Sequence, residues 1–317
     1  MTRMLCPEPG SFSQAGLALA GRYTELVAER LEQSEFEAAA VDFDAVLIRF
    51  NTRVRGDLLA KAPRLKAVLS PTTGLDHIDL AAASRRGVKV FHLKGQNRFL
   101  RTVSATAELT ITLMLATLRR LPAAIQSTRL GQWDPGPFRG REASGKTLGI
   151  VGCGRLGAKV ARVGRALNMN VVVYDPFVSR LPAGVVRANS LADLLGGADI
   201  VSLHVPLMPE TVHLIGADDL ALLKDGAILI NTSRGAVVDG SALIEHLKSG
   251  KLAAAAVDVV EDEEAILLGR RHPLIEYAKQ HDNLLITPHI GGATFESVER
   301  TDSFILNRYF KDQGLLV

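Results

Sequence analysis

Four residues in the middle of the chain have the types and spacing to hold a dinucleotide. Gly152, Gly154 and Gly157 follow one another as G-x-G-x-x-G within GIVGCGRLG, and Asp175 comes on the order of 20 residues later. Apolar Ile150 and Val151 lead into the turn, and Val160, Val163 and Leu167 repeat on one helical face after it. Strand, glycine turn and helix are the parts of a dinucleotide-binding turn. Gly152 permits the tight turn and Gly154 lets the backbone approach a pyrophosphate at the positive end of the helix. Gly157 lets helix and strand pack closely. A second apolar strand, Val171 to Tyr174, ends in Asp175, where a carboxylate can accept both hydroxyls of an adenosine ribose.

Three further residues stand where open α/β sheets bind ligands, at the C-terminal ends of strands. Arg234 follows Asn231-Thr232-Ser233. Glu263 lies in the acidic run Glu261-Asp262-Glu263-Glu264, and His289 sits between Pro288 and Ile290-Gly291-Gly292. Each has a plain alternative: a surface loop charge, part of a solvated acidic run, a turn residue. Together, on successive strands beside a nicotinamide site, they favour chemistry.

The elements that position them form two α/β halves. In the first hundred residues, strands are expected at Arg3 to Cys6, Asp44 to Phe50, Ala67 to Ser70 and Val88 to Phe91. Helices are expected from about Gln14 to Leu31 and from Asp79 to Arg86, the second stopped by Gly87. A long helical pattern runs from about Val103 to Arg120, ended by Pro122, and a glycine- and proline-rich loop covers Gly131 to Gly140. After it come six strands in the order of a complete doubly wound dinucleotide domain: 147–151, 171–174, 200–204, 228–231, 255–259 and 284–287.

With 317 residues, 47% of them hydrophobic, the chain can fill two cores. A net charge of +3 without a basic run points away from nucleic acid. No apolar run long enough to span a membrane and no signal peptide are read, so a soluble cytoplasmic protein is expected. Cys6 and Cys153 form neither metal spacing nor disulfide framework, and no metal is expected; Cys153 fills the glycine turn.

Six stretches, GKTLGIVGCGRLG, VYDP, LHVPLMPETVHLI, GAILINTSRGAVVD, AAVDV and ITPHIGG, resemble the D-isomer-specific 2-hydroxyacid dehydrogenase family and cover nearly all of residues 145 to 292. TTGLDHIDLAAASRRGVKV is similar to the family's substrate-domain segment, and RFNTRV to the corresponding stretch of phosphoglycerate dehydrogenases. The resemblance implies two doubly wound parallel-sheet domains. One is a flavodoxin-like substrate domain, residues 1 to 103; the other is a Rossmann NAD-binding domain, residues 104 to 290. The segment 291 to 317 returns to the first, the catalytic cleft lies between the two, and a homodimer forms through the cofactor domains. Because the sequence stops at Val317, no appended regulatory domain is expected.

Carried over position by position, the resemblance makes Arg234 the anchor of a substrate carboxylate and His289 the proton donor in reduction and acceptor in oxidation. Glu263 holds the imidazole and favours its charged form. Gly152, Gly154, Arg155, Leu156, Gly157, Asp175, Pro206, Thr211, Thr232, Ser233, Arg234, Asp258 and Gly291 are implied as the NAD site, with Asp258 at the nicotinamide amide. The backbone at Thr73 and Gly74 is implied to meet the substrate carboxylate.

The sequence departs from the pattern at Glu264, where proline is usual, at Thr72, where glycine is common, and in a longer stretch from Glu263 to His289. Glu261 is therefore the alternative partner of His289. His77, His92, His204 and His213 are left out of the chemistry. Arg49, Arg53, Arg98 and Arg101 could bind a phosphate or second carboxylate, or face water. The implied activity is hydride transfer between NAD and a 2-hydroxy or 2-keto acid, without membrane or nucleic-acid partners. The rival reading is an NAD-sensing binding protein of the corepressor type, since fold alone does not establish activity.

Overall fold

The computed structural model describes residues 1–316; Val317, the end of the expected return segment, lies outside the described residues. Two compact units emerge: Met1–Val103 with the chain from Ala293 onward, and Ser104–Gly292.

In the first unit, β1 (Arg3–Cys6), β2 (Glu25–Ala28), β3 (Ala45–Leu47), β4 (Ala67–Ser70) and β5 (Lys89–His92) form one parallel sheet in the order β2-β1-β3-β4-β5. This is the flavodoxin-like order. Alternate side chains feed cores on opposite faces, which is why the central strands are apolar throughout. Leu5, Val46 and Val68 pack with Phe36, Leu58 and Leu59. Met4, Leu47 and Leu69 pack with Ile305, Leu306 and Phe310 of the helix Phe295–Asp312. That helix also carries Asp302, fully buried, whose carboxylate takes Arg49 Nη2 at 2.6 Å and the Ser13 amide at 2.8 Å. Arg49, whose guanidinium also lies over Phe12, is thus a structural ion-pair residue and not a free phosphate ligand.

The second unit contains β6 (Thr147–Val151), β7 (Asn170–Tyr174), β8 (Val186–Arg187), β9 (Ile200–Leu203), β10 (Ala227–Asn231), β11 (Leu252–Val257) and β12 (Leu284–Ile286). All are parallel, in the order β12-β11-β10-β9-β6-β7-β8. Counted from β6, this is the Rossmann order 3-2-1-4-5-6 extended by one strand. Ile150, Ile200, Ile228 and Ile230 face one core; Val201, Leu203 and Leu229 face the other. The order reverses between β6 and β9, so the ligand crevice of such a sheet opens at the C-terminal end of β6, where the glycine turn begins.

Three expectations are corrected. The first helix ends at Tyr23, not near Leu31: Thr24 turns extended and β2 pairs with the edge of β1. Strand pairing there overrides an apolar pattern that reads equally as helix. The two-residue edge strand β8 was not expected at all, being too short to show a period. Finally, Asn97–Leu118 does reach the length and mean hydropathy, 1.2, of a membrane span. It is broken between the helices Asn97–Leu100 and Ala105–Leu118, and the second buries Ala107, Leu113, Met114 and Leu118 in the core of the second unit.

Candidate active site

The glycine turn performs its three tasks with visible geometry. Gly152 has φ of +88°, and a β-carbon there would lie 2.7 Å from the His204 carbonyl, so β9 can close against the turn. A β-carbon on Gly157 would collide with the Gly152 carbonyl, which sets the close approach of the helix Arg155–Ala166 to β6. A β-carbon on Gly154, at the N-cap of that helix, would meet nothing within 4 Å. Open space over an uncrowded helix N-terminus is what a pyrophosphate requires. Leu156 is half-buried, with its side chain packed against the core. Arg155 is half-buried, and burial holds its guanidinium below the usual range.

Asp175 is 9% exposed. Its Oδ2 accepts the Cys153 amide at 2.7 Å, and its Oδ1 accepts the Phe177 and Val178 amides at 2.9 and 3.0 Å. A carboxylate has about four acceptor positions, so capacity for a ribose hydroxyl remains. Arg187, which sequence reasoning passed over, reaches this loop from β8. Its guanidinium donates to the carbonyls of Asp175 at 2.8 Å and Val178 at 2.6 Å. No sequence signal marks it, because β8 itself is invisible to periodicity. With Arg187 committed to carbonyls and Asp175 negative, a 2′-phosphate is disfavoured. NADH should be preferred over NADPH by roughly tenfold or more in kcat/KM, one lost or repelled contact being worth about 1.4 kcal/mol. Equal values for the two cofactors would contradict this assignment of Asp175.

Pro206 and Thr211 shape the loop after β9. The Thr211 hydroxyl donates to the Pro206 carbonyl at 2.7 Å and accepts the Met208 amide at 2.8 Å. On the next strand end, Thr232 bonds through its hydroxyl to Thr110 at 2.7 Å, so its side chain faces the helix Ala105–Leu118. Asn231, 1% exposed, organises the turn that presents Arg234. Its Oδ1 accepts the Ser233 amide at 3.0 Å and the Ser233 hydroxyl at 2.7 Å, and its Nδ2 donates to the Arg234 carbonyl at 2.9 Å. The available signal was a polar residue closing the apolar run AILIN. Arg234 is half-buried, and its Nη1 donates to the Ser233 carbonyl at 2.7 Å.

Asp258 is 1% exposed and builds the turn of His289. It accepts the Thr287 hydroxyl at 2.6 Å, the Ile290 amide at 2.9 Å and the Gly291 amide at 2.7 Å. Burial pushes its carboxyl up, against these hydrogen bonds. His289 adopts φ of +53° in that turn, a conformation most residues avoid. Its Nδ1 lies 2.7 Å from Glu263 Oε2, and Glu263 Oε1 accepts the Val260 amide at 3.3 Å. Glu261 is instead bonded to His213, at 2.9 Å. The structure thus brings Glu263, and not Glu261, onto His289. Thr73 and Gly74 lie in the first unit, after β4; the Thr72 hydroxyl, bonded to Ser70, donates to the Gly74 carbonyl at 2.8 Å.

Fold and glycine turn define a dinucleotide-binding α/β protein with an arginine and a carboxylate–imidazole pair on successive strand ends. Over residues 111–291 the sequence matches the family described as D-isomer specific 2-hydroxyacid dehydrogenase, NAD binding domain. It is 36% identical over 291 residues to hydroxypyruvate reductase of Thermotoga maritima, covering 92% of each chain. It is 37% identical over 288 residues to D-3-phosphoglycerate dehydrogenase of Methanocaldococcus jannaschii, covering 90% of this chain but only 52% of that protein, about half its length. Among solved structures, D-lactate dehydrogenase from Aquifex aeolicus, complexed with NAD and lactic acid, has a TM-score of 0.83 at 31% identity, covering 99% of this chain and 96% of that one. The chain belongs to the D-isomer-specific 2-hydroxyacid dehydrogenase family, as its motifs implied. NAD is the cofactor of the matched domain, and the open space at Gly154 and the acceptor at Asp175 fit it.

Proposed function

We propose that this chain is an NAD-dependent dehydrogenase interconverting a small 2-keto acid and its D-2-hydroxy acid. The observation that carries the proposal is the 2.7 Å contact of His289 Nδ1 with Glu263, on the strand ends next to that of Arg234. NADH, when bound, supplies the hydride. Arg234 offers a planar fork to the substrate carboxylate and an adjacent positive charge to the carbonyl oxygen as electrons move onto it. With Nδ1 committed to Glu263, Nε2 of His289 is the nitrogen that gives its proton to that oxygen. The carboxylate beside it holds the ring in place for that transfer. In oxidation the neutral ring takes the proton back. The Asp258 cage fixes the backbone of His289, so the ring is presented without reorganisation.

The test is NADH oxidation against a panel of 2-keto acids, with and without a phosphate group. Saturable turnover of at least one supports the reading. Tight NADH binding with no turnover across the panel would sink it in favour of a sensor.

We further propose that the protein is a homodimer formed through the second unit. Leu121, Ile125, Leu130 and Trp133 leave 48, 42, 68 and 90% of their surface exposed along one short segment. That concentration of apolar surface is characteristic of an interface. Sedimentation should show a dimer for wild type, and Trp133→Ser with Leu130→Glu should shift it to monomer. A wild-type monomer at micromolar concentration would rule the dimer out.

A further inference from the structure

We propose that His213 and Glu261, neither of which touches the reacting groups assigned above, form a brace that positions Arg234 and Glu263 relative to each other. The contacts converge on Glu261. Its carboxylate meets His213 Nε2 at 2.9 Å, and its carbonyl is 2.9 Å from His272 Nε2. The Val260–Glu261 peptide also lies against Gly235, where any β-carbon would overlap it. Glu261 is two residues before Glu263. On the other side, the His213 amide donates to the Ala236 carbonyl at 2.7 Å, two residues after Arg234. Ile215 continues the attachment through a parallel bridge to Val238. One side chain pair therefore ties the turn carrying Arg234 to the loop carrying Glu263.

Packing alone does not hold this loop. Behind it lies a cavity of about 510 Å³ bordered by His213, Val238, Asp239, Glu261, Arg271 and His272. Over that space, polar contacts and the flush fit of Gly235 restrain it, together with Val260, which is buried in the core. Two residues of the assembly sit in the left-handed region, His213 at φ +48° and Asp262 at φ +54°, so both turns are held in shapes that relax readily once a restraint is lost. The Glu261 carboxylate holds the His213 imidazole above its ordinary range, which gives the brace ion-pair character. Both side chains are more than 40% exposed, so their contribution to global stability is small. Their influence on geometry is separate: a displacement of about 1 Å at a reacting group can lower a rate by roughly 100-fold.

The kinetic consequence rests on the dehydrogenase reading, whereas the structural one rests on the contacts alone, and the experiment reads both. Amide exchange and steady-state kinetics are compared for wild type, His213→Ala, His213→Gln and Lys279→Ala. The last removes an ordinary exposed pair with Glu276. In His213→Ala, exchange at Val237, Val238, Val260 and Ala265 should quicken by roughly two- to fivefold, the range open to an exposed pair. The core strands and the Lys279→Ala protein should stay as in wild type. Reduction kcat should fall by roughly tenfold with the KM for NADH within about twofold. His213→Gln, which can still donate to Glu261, should recover most of both losses. Unchanged exchange at these amides overturns the brace whether or not the protein turns over a keto acid. Quickened exchange with unchanged kcat overturns its positioning role. If wild type is inactive throughout the panel, the dehydrogenase reading fails, and the exchange data still decide the brace.

Discussion

His289→Ala should nearly abolish turnover in both directions, by roughly 100- to 10,000-fold, the usual contribution of a positioned acid–base group. Glu263→Gln should leave measurable turnover but lower kcat by up to roughly 100-fold in both directions, because an amide in place of the carboxylate 2.7 Å from Nδ1 orients the ring less firmly. Glu261→Gln should lose less, because Glu261 faces His213. The measurement is kcat in both directions for the three variants beside wild type. A larger loss in Glu261→Gln than in Glu263→Gln would overturn the pairing.

Arg234→Lys should lower kcat/KM for the keto acid by roughly 10- to 150-fold, with NADH affinity nearly unchanged. Lysine keeps the charge and loses the planar fork, so one of two charge-assisted hydrogen bonds goes, at about 1.5–3 kcal/mol. The turn itself should survive the change. Its form rests on the Asn231 side chain, the Arg234 carbonyl and Gly235 against Val260; the guanidinium adds one bond to the Ser233 carbonyl, where an ammonium is also a donor. Substrate kinetics and a direct NADH titration separate the alternatives. If cofactor affinity falls as far as kcat/KM, Arg234 serves the cofactor and the substrate assignment is wrong.

Gly152, Gly154 and Gly157 were legible because backbone geometry dictates residue type locally. A φ of +88° at Gly152 and a helix pressed on a strand at Gly157 leave room for glycine alone, and glycine at the N-cap keeps the space over Gly154 open. Asp175 was legible for a related reason, since the end of the second strand places one side chain at the ribose whatever lies elsewhere. The apolar strands of both sheets could likewise be read, because burial on two faces removes polar residues from the run. The choice between Glu261 and Glu263 could not be made from four consecutive acids. It depends on the left-handed turn at Asp262 and on Gly235 seating the Val260–Glu261 peptide, so it depends on a residue in the turn after another strand. Arg49 read as a candidate phosphate ligand until the helix Phe295–Asp312 brought Asp302 to it across more than 250 positions of sequence. The strands β2 and β8 were missed because pairing at a sheet edge, and not local pattern, defines them. What the sequence determined by itself is the chemistry that short-range stereochemistry enforces. Which charges meet was decided only in the tertiary structure, because an ion pair is a distance between chain segments and leaves no trace in the spacing of either one.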